Sequence, residues 1–193
     1  MAVLRILGID PGTWVVGYAC LEAEVREVHA SVPAEAPMRQ RASNLVARRG
    51  GLGVATLVTA GSVKLGPSKA TLPARLHRLA ESVEELIGHF SPVELALEEA
   101  FFGKNVQAAL RIGEARGVVL ALAHRHGLSI HQYPPAKIKR VVTGRGSADK
   151  AAVAAMAGQL LGIGPLTCSP DASDAVAVAL CRLEDRRSLL PFG

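Results

Sequence analysis

The stretch LRILGIDPGTWVVGY, residues 4–18, constrains this chain more than any other. An apolar run ends at a single acid, Asp10, then Pro11 and Gly12 turn the chain and residues 13–18 return as a second strand. A buried strand that ends in a carboxylate and reverses at once puts that carboxylate on the rim of a sheet, held by the core yet open to water. Asp-Pro-Gly is also ordinary turn chemistry. Asp10 is therefore more than a turn residue only if other acids end other core elements, and if they do it is the first ligand of a metal site.

The chain has 193 residues, which suits one domain with a sizeable core. No apolar run approaches the ~18–20 residues of a membrane span. The N-terminus enters the first strand directly, without the charged, apolar and cleavage regions of a signal peptide. The cysteines Cys20, Cys168 and Cys181 lack metal-type spacing and read as reduced thiols, as in a cytoplasmic protein. The net charge of +5 tilts the reading toward a polyanionic partner.

Strands are expected at residues 3–9, 14–21 and 55–65, the first two paired antiparallel. From about Glu24 to Gly53 periodicity is lost, and a Pro-, Gly-, Ala- and Arg-rich insertion at about residues 33–53 holds at most a short helix at 38–49. No acid occurs between Glu35 and Glu81, whereas eight Arg and Lys do, from Arg39 to Arg78. Such a one-signed stretch either follows phosphates or is a solvated surface. Leu72, Leu76, Leu79, Val83, Leu86 and Ile87 recur with helical spacing over 72–90, started by Thr71 and Pro73. A short apolar strand at 93–97 then runs into Glu98 and Glu99, repeating the logic of the first strand.

A long helix is expected at about 105–126, weakened by Gly113 and Gly117, whose spacing suits a close helix contact or a dimer face. A fifth strand follows at 128–133, parallel to the fourth through a right-handed crossover. A short basic helix at 134–142 carries Lys137, Lys139 and Arg140. Ser147 is the expected cap of a helix at 148–161, with Asp149 in its first turn, and Ser169 and Pro170 open the last helix. The tail from Ser188 is expected to be loosely held.

Asp171 and Asp174 lie three apart on that last helix and share a face. Acids in a first turn also suit the helix dipole by themselves, and Glu98 and Glu99 could be solvated strand ends. Together the acids say more: one ends strand one, one ends strand four, and two open the final helix. If strands one and four are neighbours, the tips converge. Two carboxylates about 4 Å apart repel by about 4 kcal/mol at an effective dielectric of 20. Such a cluster needs protons or cations, and all-oxygen ligands suit Mg²⁺ or Mn²⁺.

GIDPGT with VVGY, ALEEAFFGKN, IGEARG, IKRVVTGRGSADK and SPDASDAVAVAL together resemble the RuvC family of bacterial Holliday-junction resolvases, over residues 4–21 and 55–185. The resemblance implies a ribonuclease H-like α/β fold: a five-stranded mixed sheet, three strands antiparallel and two parallel, with helices on both faces. It implies one nuclease domain over 1–187 with a flexible tail at 188–193. It also implies a homodimer that makes paired symmetric nicks in four-way DNA junctions, leaving a 5′-phosphate and a 3′-hydroxyl, in partnership with the RuvA–RuvB branch-migration complex. By position, the catalytic and metal-holding acids fall on Asp10, Glu98, Asp171 and Asp174, with two Mg²⁺ ions between them and Mn²⁺ as a substitute. Glu98 rather than Glu99 takes the strand-end role, which fits the residue alternation only if this strand is buried on both faces. Phe101 is placed to stack on unpaired bases, and Lys104, Asn105, Lys139 and Lys150 to line the DNA groove. Core packing is the competing role for Phe101. The basic insertion is longer than the resemblance implies and leaves the connection between strands two and three open.

Three other readings share these residues. A similar Asp-Gly-Thr turn holds nucleotide phosphates in actin-like kinases and ATPases, but those need two such domains. A junction-binding module could keep the fold without catalysis, though all four acids are present. A ribonuclease H-like enzyme acting on another nucleic-acid structure would prefer RNA–DNA hybrids to junctions.

Overall fold

A computed structural model describes residues 2–25, 52–99 and 106–189. The expected helix at 38–49, most of the basic insertion, and Phe101, Lys104 and Asn105 lie outside the described residues.

Strands β1 (Ala2–Pro11) and β2 (Val15–Val25) form the expected antiparallel hairpin, with Asp10 opposite Gly17. Strand β3 (Leu52–Lys64) adds antiparallel to β2. Helix α1 (Leu72–Phe90) leads to strand β4 (Glu94–Glu98), and helix α2 (Val106–Arg125) precedes strand β5 (Ser129–Tyr133). Helices α3 (Pro135–Thr143), α4 (Lys150–Leu160) and α5 (Pro170–Leu189) complete the described chain. The sheet order is β3-β2-β1-β4-β5, with β4 parallel to β1 and β5 parallel to β4. This is the mixed sheet that the ribonuclease H-like resemblance implies.

Both faces of the central strands are covered. Leu7, Ile9, Leu95 and Leu97 turn to a core with Leu79, Val83 and Ile87 of α1 and Ala115, Val119 and Leu122 of α2. Leu4, Ile6 and Ala96 turn the other way, against Ile138 of α3, Val153 of α4 and the Ala/Val-rich face of α5. Strand β4 is thus buried on both sides, which removes the conflict between its alternation and the choice of Glu98. Because side chains alternate along a strand, the residue after Ile9 and the residue after Leu97 both point toward α5.

Several boundaries differ from expectation. Strand β2 continues to Val25 and pairs there with Leu52. Leu21 and Ala23 are buried while Glu22 and Glu24 are not, a period-two pattern that the loss of apolar continuity hides. The cap of α4 is Asp149, whose carboxylate accepts from Ala152 N at 2.8 Å, so the helix starts at Lys150 and Ser147 lies outside it. Helix α5 runs through Leu189, and Ser188 Oγ donates to the Asp185 carbonyl, so the described part of the expected tail is helical. Gly113 and Gly117 face outward, with open space where a Cβ would stand, so among the described residues no helix uses them for close approach. Among the described residues no helix is long and apolar enough to cross a membrane.

Candidate active site

The site begins with the register of three strands. Ile9 pairs with Leu97, so Asp10 and Glu98 occupy the next rung of adjacent parallel strands, about 4.8 Å apart in the pairing direction. Both side chains point to the α5 face by the alternation above. Strand β4 stops at Glu98, one residue short of the corresponding end of β1 at Pro11. Glu99 N donates to the Tyr133 carbonyl of β5 at 2.8 Å, and its side chain is exposed.

Helix α5 reaches this rung because two strand residues lack a Cβ. A Cβ on Gly17 would lie 2.0 Å from the Asp171 carbonyl oxygen, and one on Gly8 would lie 2.2 Å from that of Ala175. Helix backbone therefore sits directly on strand backbone, at the Asp10 rung itself through Gly17 and two residues earlier on β1 at Gly8. Ser169 fixes the start of the helix: its Oγ accepts from Ala172 N at 3.3 Å and donates to Ser62 Oγ of β3 at 3.0 Å. Asp171 and Asp174 follow at the helix N-terminus, where the dipole favours negative charge.

The four acids lie near enough for the charges of Asp174, Glu98 and Asp171 to act on Asp10. Burial pushes the Asp10 carboxyl up to about 7, helped by the charges of Asp174, Glu98 and Asp171 and opposed by Lys150. Glu98 is raised by burial and by Asp174, against Lys150, Lys139 and Arg116. Lys150 Nζ donates to Asp174 Oδ2 at 2.5 Å, and that bond raises the ammonium's own pKa. Lys139 and Lys150 line a small cleft with Glu98 and Asp174, between α3, α4 and α5. A larger open cleft of about 240 Å³ continues past Lys150 and Asp174 between α4 and α5. Of the nine residues expected to form the site, the structure thus brings six together: Asp10, Glu98, Asp171, Asp174, Lys139 and Lys150.

Among the described residues no three acidic, histidine or cysteine side chains stand close enough to ligate one ion as they are. The donor set nonetheless suits a hard divalent cation. It is all carboxylate and partly buried, and Asp10 is raised by burial first and then by the charges of the other three acids.

One contributor was not assigned a role from sequence. Arg116 of α2 is buried at 7% exposure, and its guanidinium donates to the Glu98 carbonyl and, at 2.5 Å, to Gln132 Oε1 of β5. It ties the tip of β4 to β5 beneath the Glu98 side chain. The only signal was an arginine among the small residues of IGEARG, on a helix where most such residues are solvated.

Comparison with known proteins places this arrangement. The family model described as "Crossover junction endodeoxyribonuclease RuvC" matches residues 36–182. A protein of that name from Methylococcus capsulatus is 36% identical over 186 residues, covering 96% of this chain and 93% of its own. Another from Halorhodospira halophila is 37% identical over 188 residues, covering 96% and 93%. Among solved structures, Thermus thermophilus RuvC in complex with Holliday junction substrate superimposes with a TM-score of 0.75 at 27% identity, over 96% of each chain. The likeness spans the hairpin that carries Asp10 as well as the rest of the sheet and α5, so this chain belongs to the RuvC family.

Proposed function

We propose that this protein is a metal-dependent, structure-specific endodeoxyribonuclease that resolves four-way DNA junctions by paired symmetric nicks. The observation that carries this reading is the convergence of Asp10, Glu98, Asp171 and Asp174 on one face of the sheet, with Asp10 pushed up to about 7. The carboxylates hold two Mg²⁺, with Mn²⁺ as a substitute, and the cations would supply a nucleophile from water and charge stabilisation at the leaving oxygen. Lys139 and Lys150 face the same space and attract the phosphodiester backbone, while Arg116 keeps the Glu98 strand tip in place. Phe101, Lys104 and Asn105 contribute DNA contacts from the β4–α2 connection.

Residues 1–187 act as one nuclease domain. The protein works as a homodimer, because paired nicks at a two-fold junction call for two sites related by two-fold symmetry. Helix α2 offers a surface for that contact: Val106 and Leu110 are 70% and 64% exposed on the same side as Gly113 and Gly117. A cytoplasmic setting and partnership with a RuvA–RuvB complex complete the reading.

The test is cleavage of an end-labelled synthetic four-way junction with Mg²⁺ and with EDTA, beside a linear duplex. Paired nicks confined to the junction and abolished by EDTA support the proposal. Tight junction binding without nicking under any divalent metal refutes the enzymatic reading.

A further inference from the structure

The turn that follows Asp10 ends in Trp14, the only tryptophan of the chain. Its side chain is 44% exposed. Its position is nevertheless fixed. The Arg75 guanidinium of α1 lies 3.6 Å from the ring centroid, and Arg75 Nη1 donates to the Thr13 carbonyl at 2.6 Å. The Trp14 carbonyl accepts from Leu65 N at 2.9 Å, which ties the turn to the end of β3. Arg75 itself is buried, at 5% exposure. One ring face is therefore backed by a cation, and the water-exposed area belongs to the other face and the edges.

A tryptophan used only to pack the hairpin would be covered. This one is held rigid from behind and left open in front. It stands roughly 10 Å along the strand from the Asp10–Gly17 rung, at three residues of extended chain. Its surroundings are basic: Lys64, opposite Val15 in the β2–β3 ladder, and Lys69 are exposed, and no acid occurs between Glu35 and Glu81. An exposed indole ring with cations beside it matches what a nucleotide presents, a flat π-face attached to a phosphate. Because the ring is already immobilised, stacking on it orders little further side-chain freedom.

We infer that Trp14 is a stacking platform for a nucleobase of the DNA strand being cut, flanking the scissile phosphate, with Lys64 and Lys69 taking the adjoining phosphates. This rests on the nuclease reading above and adds a contact outside the four-carboxylate site.

Because Trp14 is the sole tryptophan, its emission reports on this contact directly. Wild-type protein in EDTA is titrated with a synthetic four-way junction, and binding is followed in parallel by gel shift. The expected result is saturable quenching with the same midpoint as the gel shift, and protection of Trp14 from acrylamide. Trp14→Ala should weaken junction binding by about 5- to 150-fold, the range for losing one base–aromatic stack, and Trp14→Phe should recover most of it. Thermal melting checks that Trp14→Ala folds; if it does not, wild-type quenching and acrylamide protection decide alone. A junction that is bound and nicked normally while Trp14 emission and acrylamide access stay unchanged overturns the platform and leaves the nuclease reading standing. No junction binding by either readout overturns both.

Discussion

Replacing Gly17 by Ala tests how α5 is brought to Asp10. The new Cβ would stand 2.0 Å from the Asp171 carbonyl oxygen and 2.3 Å from its carbonyl carbon, where contacts under 3.0 Å are essentially never found. Both atoms are backbone, so no side-chain rotation relieves the clash. The helix start must back away from β2 by at least about 1 Å, and it carries Asp171 and Asp174 with it. A misplacement of that size at a reacting centre costs on the order of 100-fold in rate. Overpacking of this kind costs about 1–3 kcal/mol in stability, so the protein should still fold. Gly88 of α1 is the control, since a Cβ there meets nothing within 4 Å. Gly88→Ala should nick junctions normally and gain up to about 1 kcal/mol from helix propensity. Nicking rates at saturating junction and Mg²⁺, with urea unfolding of all three proteins, give the comparison. A folded Gly17→Ala protein that nicks at the wild-type rate would show that the close contact of α5 with β2 does not set the site.

Arg182→Met leaves Glu94, buried at 3% exposure, without its 2.7 Å partner and with only Arg186 beside it, so the expected loss by urea unfolding at pH 7 is substantial but below the about 3–5 kcal/mol of a fully unpaired buried charge. Burial alone would raise the Glu94 carboxyl, but Arg182 and Arg186 outweigh it and hold it below the usual range. That contribution is present above the unfolded-state pKa and is lost as pH falls through the folded one, so the difference between the two proteins should shrink in acid. Arg116→Met should slow nicking about tenfold or more while changing junction affinity little, as single-turnover rates and gel shifts would show. Asp10→Asn should abolish nicking while keeping or strengthening junction binding. Asp10 carries the opposite pH signature to Glu94. Its folded value of about 7 exceeds its ordinary 3.8, so it opposes folding increasingly as pH rises from about 4 to 7. In EDTA, Asp10→Asn should therefore melt higher than wild type at pH 8, with a ceiling of about 4 kcal/mol, by less at pH 5, and not at all near pH 3.

What could be read from sequence was whatever depends on local order. The hairpin follows from an apolar run, Pro11-Gly12 and a second apolar run. The choice of Glu98 over Glu99 comes by position from the family resemblance, and the alternation agrees with it once β4 is known to be buried on both faces, which a parallel central strand makes the default. Long-range contacts were not legible. Gly8 and Gly17 look like weak strand residues until a helix more than 150 residues later is seen to lie on them. Arg116 looks like a solvated helix residue until its guanidinium is found under Glu98. Ser147 and Asp149 are both good cap residues, and only the backbone path shows that Asp149 does the capping. The end of β2 was missed because Glu22 and Glu24 interrupt apolar continuity without breaking alternation.

The acids also explain why α5 is held at both ends. The charges of Asp174, Glu98 and Asp171 all act against ionisation of Asp10, so the helix start carries negative charge toward β1 and β4. A helix free to tilt would relieve this by moving. At the near end, Ser169 bonds to β3 and to the first helical turn, and Lys150 bridges from α4 to Asp174. At the far end, Arg182 and Arg186 both bond Glu94 at the start of β4, and Tyr133 of β5 donates to Asp185 at 3.0 Å. These contacts tie α5 to the same two strands, β4 and β5, that position Glu98. Helix and sheet are thus fixed to each other by ionic and polar contacts on either side of an Ala/Val-packed middle. Held in place this way, Asp10 stays in a buried position beside the other three acids, and its carboxyl is raised chiefly by burial, with their charges adding to it.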